Sequence, residues 1–433
     1  MSKKPKLSFW QIWNLSFGFL GVQIGYSLQN SNTSTIFESL GADVSHLSYF
    51  WLAAPLAGMV IQPIVGMFSD GTWTRFGRRI PYILGGALIS TIALMLMPNC
   101  PTLLALAPLA MGAFILLFMD LSFNVTMQPF RALVADMLDD SQKTEGYVVQ
   151  TFLINIGAVV GAVLPLIMTW VGVSDEAVPG QVSSHIAWSY YIGGAILLAT
   201  VLVTAFKTKE YPPEEFAEYN GLAEVEGPSE KTGFMTLLRN TPSAMIRLGI
   251  TQFFSWAALF IMWTYLKPAI TGSVTDGGVV LSEGATQTWV GVLNGVYPIP
   301  ACIAALFMTK LASRFGNKTI YASCLLFGAV GFAGLVLFKD KYALMLPMLC
   351  IGIAWAGILA MPYAILSRAV DPKRMGVYMG IFNFTITIPQ IVIGLAGGVI
   401  VKYCFGSNAV MMLALACVFM LLAALSVAFV RGK

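Results

Sequence analysis

The sequence predicts an all-α membrane protein whose twelve transmembrane helices form two pseudo-symmetric six-helix bundles. Of its 433 residues 57% are hydrophobic and only 11% are charged, a balance that a single soluble core cannot bury. Apolar runs recur almost without interruption, and one long polar stretch, residues 207–243, separates six runs from six. Together these observations favour a polytopic membrane protein made of two halves.

Each of the twelve apolar runs is long enough to cross a bilayer as a helix. We place them near residues 8–29, 46–68, 79–97, 101–134, 145–171, 186–206, 244–268, 286–310, 318–338, 342–367, 374–401 and 407–430.

An internal echo supports a division into an N-terminal bundle (1–206), a cytoplasmic linker (207–243) and a C-terminal bundle (244–433). The motif Arg-Phe-Gly at 75–77, after the second span, returns as Arg-Phe-Gly at 314–316, after the eighth. Two halves of common descent are the interpretation that this repeat favours.

The charge distribution predicts the orientation. All but four of the 25 Lys and Arg residues fall on both tails and on one set of alternate loops, and such residues are retained on the cytoplasmic side. We therefore expect both termini to be cytoplasmic. The net charge of +4 then reflects topology in a lipid bilayer and does not indicate a nucleic-acid partner.

A polar stripe runs along the fourth span. At about 100° per residue, Asn124 falls about 40° from Asp120 and Arg131 about 20° from it. Ionised groups inside a bilayer are costly and usually functional, so the stripe is expected to face protein or water. Asp136 projects about 160° away and is assigned a different role at the cytoplasmic end.

Several ordered motifs carry a family resemblance. They are GVQ and LQ within 21–29, QPIVG at 62–66, SD at 69–70, RFGRR at 75–79, RALVAD at 131–136, and Asn383 with IPQ at 388–390. With these motifs the chain resembles the major facilitator superfamily, and within it the plant sucrose–proton symporters and their relatives among the glycoside–pentoside–hexuronide cation symporters. The resemblance implies the major facilitator fold, with a site near the midplane between the halves.

The same resemblance implies an α-glucoside–proton symporter in which Asp120 carries the proton. Loops shorter than those of the plant carriers favour a bacterial member, in the cytoplasmic (inner) membrane. Ala158 stands where the plant carriers have an asparagine, and Asn155 lies one turn earlier and could substitute.

Asp120 and Arg131 are the candidate proton-coupling residues. A carboxylate in a partly desolvated cavity can load and release a proton as access alternates. The alternative is a structural ion pair between the two. Arg131 could also bind sugar hydroxyls, or simply satisfy the positive-inside rule.

Asp70, Arg75, Arg78, Arg79 and Asp136 are the candidate cytoplasmic gate. A charge network that forms in one conformation and breaks in the other would suit two rocking bundles. The alternative is a solvated loop that carries topological charges, since surface ion pairs contribute little individually.

Sugar recognition requires amides and hydroxyls for the sugar hydroxyls and aromatic rings for the apolar sugar faces. For each nominated residue the alternative is an interhelical hydrogen bond or, for the tryptophan, packing. The nominated residues are Gln23, Ser27, Asn30, Asn124, Asn155, Trp256, Asn294, Tyr363, Asn383 and Gln390.

These features predict secondary active uptake of a disaccharide such as sucrose or maltose, driven by protons through alternating access, in a protein that is a monomer by default. A sodium-coupled glycoside symporter and a non-transporting sugar sensor are the alternatives. The sequence offers no nucleophile–base pair, metal-ligand cluster or phosphate loop, so we expect no enzyme activity, no metal site and no cofactor.

Overall fold

The computed structural model describes residues 4–40, 47–104, 107–176, 180–221 and 234–430. Within them the chain is mainly α-helical. The helices are α1 (Phe9–Ser39), α2 (Leu47–Gly71), α3 (Ile80–Leu96), α4 (Cys100–Leu103), α5 (Pro108–Met137), α6 (Lys143–Trp170), α7 (Ser184–Lys207), α8 (Pro213–Tyr219), α9 (Phe234–Arg239), α10 (Ser243–Ile270), α11 (Glu283–Val296), α12 (Pro298–Phe315), α13 (Asn317–Leu337), α14 (Met345–Leu366), α15 (Met375–Phe382), α16 (Phe384–Val399) and α17 (Val410–Ser426). A two-residue hairpin pairs β1 (Thr275–Asp276) with β2 (Val279–Val280) in antiparallel register.

By length and composition, ten segments of the described chain can cross a membrane. They are Ile80–Leu103, Pro108–Met137, Lys143–Trp170, Ser184–Lys207, Ser243–Ile270, Trp289–Phe315, Asn317–Leu337, Met345–Leu366, Pro372–Cys404 and Val410–Phe429. Helices α1 and α2, with 31 and 25 residues, also exceed the length of about 20 residues that a bilayer requires. They complete the twelve spans.

The fourth span begins later than the predicted 101–134. The chain leaves helical geometry at Leu104 and Ala107, and α5 starts at Pro108. Proline is accepted at the first turn of a helix because it has no N–H to leave unpaired, and it disfavours helical geometry in the residue before it. Residues 101–103 therefore end the third span instead of opening the fourth.

Two further spans are interrupted. The eighth breaks at Tyr297, just before Pro298, where α11 gives way to α12. The eleventh breaks at Asn383, which ends α15, and α16 resumes at Phe384. Hydropathy does not detect either interruption because the apolar run continues through it.

The chain divides into two compact units. Unit 1 comprises Met1–Arg239 with Asp371–Asn383, and unit 2 comprises Asn240–Val370 with Phe384–Lys433. The predicted division gave all of 244–433 to one bundle, whereas 371–383 pack against α2 and α5 of unit 1. Of the predicted linker, 207–243, α8 and α9 are helical, and residues 222–233 lie outside the described part of the chain.

In unit 1, α1 packs along α6 and α7, α3 lies against α5 and α7, and α2 contacts α5 and α15. Glycines allow α1 and α6 to approach closely. A Cβ atom on Gly157 would lie 2.4 Å from the carbonyl oxygen of Leu20, and one on Gly161 would lie 2.6 Å from that of Ile24. Such small-residue contacts are typical of membrane helix pairs.

In unit 2, α10 packs against α16 and α17, and α13 against α14 and α17. Helix α12 also lies against α14. A Cβ atom on Gly352 would lie 2.2 Å from the carbonyl oxygen of Tyr297, so α14 passes directly against the break in the eighth span.

Candidate functional site

Asp120 is buried in α5 and faces protein. Its side chain is 1% exposed, and its Oδ1 accepts a hydrogen bond of 2.5 Å from Nε2 of Gln29 on α1. In the described part of the chain, Oδ2 of Asp120 has no hydrogen-bond partner, and neither does Oε1 of Gln29. The carboxyl group thus has an amide neighbour rather than a cationic one.

Asn124 and Gln62 extend this polar group from α5 to α2. The side-chain amide of Asn124 donates to the backbone carbonyl of Asp120 (2.7 Å), and its Oδ1 accepts from Nε2 of Gln62 (2.7 Å). A Cβ atom on Gly58 would lie 2.9 Å from Oδ1 of Asn124 and 3.1 Å from Nδ2 of Asn383. Gly58 therefore gives both amides room at the end of α15.

The predicted alternative of an ion pair between Asp120 and Arg131 is wrong. The two residues lie eleven positions apart on one helix, so about 16 Å of helix rise separates them, more than their side chains can bridge. They share a face, as the helical wheel predicted, but they stand three turns apart.

The α1 candidates differ in their surroundings. The hydroxyl of Ser27 donates to the backbone carbonyl of Ala158 on α6 (2.8 Å), which is the interhelical alternative. Gln23 is half-buried against α6, and Asn30 is exposed. Asn155 is buried on α6, where it donates to the backbone carbonyl of Thr151 (2.8 Å).

In unit 2 an aromatic cluster surrounds Trp256. Its ring centroid lies 6.3 Å from that of Trp263 and 5.5 Å from that of Trp355, and Tyr297 contacts Trp355 at 6.1 Å. Nε1 of Trp256 is buried without a hydrogen-bond partner among the described residues. The sequence nominated Trp256 alone, although Trp263, seven positions later on the same face, was recognisable.

The remaining unit 2 candidates are spread over three helices. Asn294 lies part-buried on α11, Tyr363 is buried on α14 and Gln390 is half-buried on α16. Sequence reasoning missed Gln252 on α10, whose Oε1 accepts a 2.9 Å hydrogen bond from the hydroxyl of Tyr321.

At the end of α5, four of the five predicted gate residues form one ion-paired cluster. The guanidinium of Arg79, fully buried, donates to Asp70 (2.5 Å) and to Asp136 (2.9 Å), and Arg78 also donates to Asp136 (2.6 Å). Burial acts to lower the pKa of Arg79, but the charges of Asp136 and Asp70 outweigh it and raise the pKa. Arg79 therefore stays charged inside the cluster.

Asp70 also caps α15. Its carboxylate accepts the backbone N–H groups of Gly376 and Val377, both at 2.8 Å, which are unpaired donors at the start of that helix. The amide of Gln128 donates to the carbonyl of Gly376. A Cβ atom on Gly66 would lie 2.2 Å from the same carbonyl oxygen, so α2 and α15 meet backbone to backbone.

Arg75 does not belong to this cluster, and its assignment to the gate is wrong. Its side chain is exposed and lies over the ring of Phe76 at 4.6 Å, because the loop turns it away at Gly77. Gly77 has a φ of +108°, a conformation that glycine adopts without strain. The echoed Arg314 stacks on Phe315 in the same way.

Glu210, at the start of the predicted linker, contacts the backbone next to this cluster, and the sequence did not reveal that contact. Its Oε1 accepts the backbone N–H groups of Arg79 (2.8 Å) and Ile80 (2.9 Å), and so caps α3. Burial raises the pKa of this carboxyl, against the opposing effect of the two N–H donors. A Cβ atom on Gly77 would lie 2.5 Å from the same oxygen.

Comparison with known proteins identifies the family. A family model described as MFS/sugar transport protein matches residues 35–404. The chain belongs to this family. Its members are transporters, not enzymes, and this chain is accordingly an integral membrane protein.

Two relatives of this chain are named as sugar transporters. The chain is 24% identical to the sucrose transport protein SUC4 of Arabidopsis thaliana, over 87% of this chain and 81% of the relative. It is 26% identical to the general alpha-glucoside permease of Schizosaccharomyces pombe, over 65% of this chain and 53% of the relative. The E. coli fucose:proton symporter FucP shares its fold, with a TM-score of 0.70 at 14% identity over 98% of both chains.

Removing the carboxyl of Glu210 is expected to destabilise this MFS transporter. Loss of a helix cap costs about 0.5–2 kcal/mol, so we expect Glu210→Ala to lower the melting temperature in detergent by a few degrees. The matched control is Glu218→Ala, because Glu218 is an exposed glutamate on α8. This variant should leave the melting temperature unchanged. Equal melting temperatures for Glu210→Ala and the parent would contradict the capping role.

Proposed function

We propose that this protein is a monomeric proton-coupled symporter that takes up an α-glucosidic disaccharide such as sucrose or maltose by alternating access. It acts in a bacterial cytoplasmic membrane with both termini cytoplasmic. Asp120 loads the proton, and the cluster of Asp70, Arg78, Arg79 and Asp136 latches one conformation.

The observation that carries this proposal is the setting of Asp120. A carboxyl group buried in the middle of a transmembrane helix, with no ion pair among the described residues, carries its charge only at a cost, and the N–H group of Gln29 offsets part of that cost. Such a group changes charge with a change in water access. That is what a proton-coupled carrier requires.

The partners of Asp120 favour a proton over Na⁺. A hard cation such as Na⁺ needs several oxygen ligands around the carboxylate. Gln29 presents its N–H group to Asp120 instead, and the amide of Asn124 donates to the Asp120 backbone carbonyl. One donor thus meets the carboxyl group itself, and the other occupies a carbonyl oxygen that Na⁺ would otherwise use as a ligand.

The polar and aromatic residues within each unit suit a sugar. Unit 1 offers the amides of Gln23, Asn30 and Asn124, and unit 2 offers the rings of Trp256 and its neighbours. Amides match sugar hydroxyls and rings match apolar sugar faces. The relatives, a sucrose transport protein and an alpha-glucoside permease, point to a disaccharide.

The ion-paired cluster suits a latch. It holds 371–383, a segment flanked on both sides by unit 2 in sequence, against α2 of unit 1. Any rearrangement that frees this segment must break the Asp70 bonds to Gly376 and Val377. Contacts that are either fully made or fully broken give a two-state element.

Transport by purified protein in liposomes tests the proposal. We expect labelled sucrose or maltose to accumulate under an inward proton gradient, and not under an inward Na⁺ gradient of equal size. Collapse of the proton gradient with a protonophore should release the accumulated sugar. Accumulation that follows Na⁺ and ignores pH, or binding without any uptake, would overturn the assignment.

A further inference from the structure

The side chains of Gln29 and Asp120 are hydrogen-bonded to each other, and each has one further polar atom without a partner among the described residues. Both side chains are 1% exposed and share one hydrogen bond, from Nε2 to Oδ1. Oε1 of Gln29 and Oδ2 of Asp120 have no hydrogen-bond partner among the described residues. A buried polar atom without a partner is costly, so the pair is not fully satisfied in this arrangement.

The chemistry of the two groups permits a second arrangement. A charged carboxylate accepts hydrogen bonds only, whereas a protonated carboxyl group gains an O–H donor. A side-chain amide has both donors and an acceptor, which exchange places when the amide turns over. Gln29 can therefore donate to the charged form of Asp120 and accept from its neutral form.

We propose that Gln29 is the proton-sensing partner of Asp120, and that its amide turns over when the carboxyl group is protonated. The pair then remains hydrogen-bonded in both charge states, and Gln29 sets the pH at which the carrier loads. This inference rests on the proposed function, in which Asp120 carries the coupling proton. Gln29 acts through Asp120 and is thus a positioning residue.

Among the described residues, Gln29 is the side chain that hydrogen-bonds to the carboxyl group of Asp120. Tyr26 on α1 is close enough to interact electrostatically with Asp120, and Arg131 stands three turns away on α5. The backbone of the pair is fixed, since Thr33 donates to the Gln29 carbonyl and Asn124 to that of Asp120. The other titratable or charged groups with described side chains on helices packed against α5 are Asp70 on α2, Tyr82 on α3, Cys100 on α4, Lys143, Glu145 and Tyr147 on α6 and Tyr378 on α15.

Replacing the amide shifts the balance between the two forms. A hydrogen bond to a charged group is stronger than one between neutral groups. The difference corresponds to about a tenfold change in the proton-binding equilibrium, or about one pH unit in its midpoint. Gln29→Leu removes both, so the charged form loses more than the neutral form. We expect the pH of half-maximal proton-driven accumulation to move about one unit towards alkaline pH.

Gln150→Leu is the matched control. Gln150 is a buried glutamine of unit 1 whose amide donates to the carbonyl of Phe130, away from Asp120. Its replacement should leave the midpoint pH unmoved, whatever it does to expression. If Gln29→Leu does not fold, Gln29→Asn keeps an amide with shorter reach and should shift the midpoint in the same direction by less.

Infrared difference spectroscopy between acidic and alkaline pH tests the turned-over state directly. The band of protonated Asp120 is identified by its loss in Asp120→Asn. We expect its C=O stretch to rise in frequency in Gln29→Leu, because the O–H group loses its acceptor. Unchanged midpoint and band in Gln29→Leu, with accumulation abolished in Asp120→Asn, would overturn this inference alone. Normal accumulation in Asp120→Asn would instead overturn the proposed function.

Discussion

Asp120→Asn is expected to abolish uphill accumulation of sugar while leaving exchange across the membrane. Asparagine is nearly isosteric with a protonated aspartate, so the buried site stays intact, and the amide of Gln29 can still bond to it. Asparagine cannot bind and release a proton, so the proton gradient cannot drive sugar uphill. Accumulation under an imposed pH gradient should fall to the level of empty liposomes, whereas counterflow of labelled against unlabelled sugar should persist.

Asp175→Asn provides the control for this experiment. Asp175 is exposed, and the substitution is chemically identical. It should accumulate sugar like the parent. If Asp120→Asn also did so, the proton would travel by another group; if it lost exchange as well, Asp120 would be needed for binding or folding rather than for coupling.

Arg79→Lys is expected to have the second largest effect. Arg79 bridges two carboxylates with a planar fork, and a lysine ammonium cannot reach both. Lysine keeps the positive charge but leaves one of the two buried carboxylates without this partner, and complete loss of a partner from a buried ion pair costs about 3–5 kcal/mol, which is the upper limit here. We therefore expect a turnover at least tenfold slower and a lower melting temperature, with sugar affinity little changed.

Arg75→Lys separates this effect from a general loss of loop charge. Arg75 lies four positions earlier in the same loop, exposed and stacked on Phe76. It should transport at the parent rate. Equal effects of the two variants on turnover would indicate that the loop acts through its charge alone, and a large affinity loss with normal turnover in Arg79→Lys would place the cluster at the sugar.

The sequence predicted the spans and the buried carboxyl group because both depend on local composition. A charge inside a long apolar run must face protein, and Asp120 does. The repeat of Arg-Phe-Gly favoured two halves of common descent, and the glycines at the end of both copies, Gly77 and Gly316, have positive φ, at +108° and +85°. Local rules were sufficient at these positions.

Contacts between distant segments could not be predicted in the same way. Gln29 lies about 120° from the Gln23 face of α1, and nothing in the sequence pairs it with Asp120. Glu210 looked like one glutamate of an acidic linker, yet it caps α3. The sequence grouped Arg75 with Arg79, and the direction of the turn at Gly77 decides which of them is buried.

Proton movement on sugar addition tests the central claim most directly. Liposomes in a lightly buffered medium, without any imposed gradient, receive sucrose or maltose while the external pH is recorded. The account predicts that the parent alkalinises the medium as sugar enters, and that Asp120→Asn exchanges sugar without a pH change. Sugar entry through the parent without proton movement, or equal alkalinisation by Asp120→Asn, would contradict it.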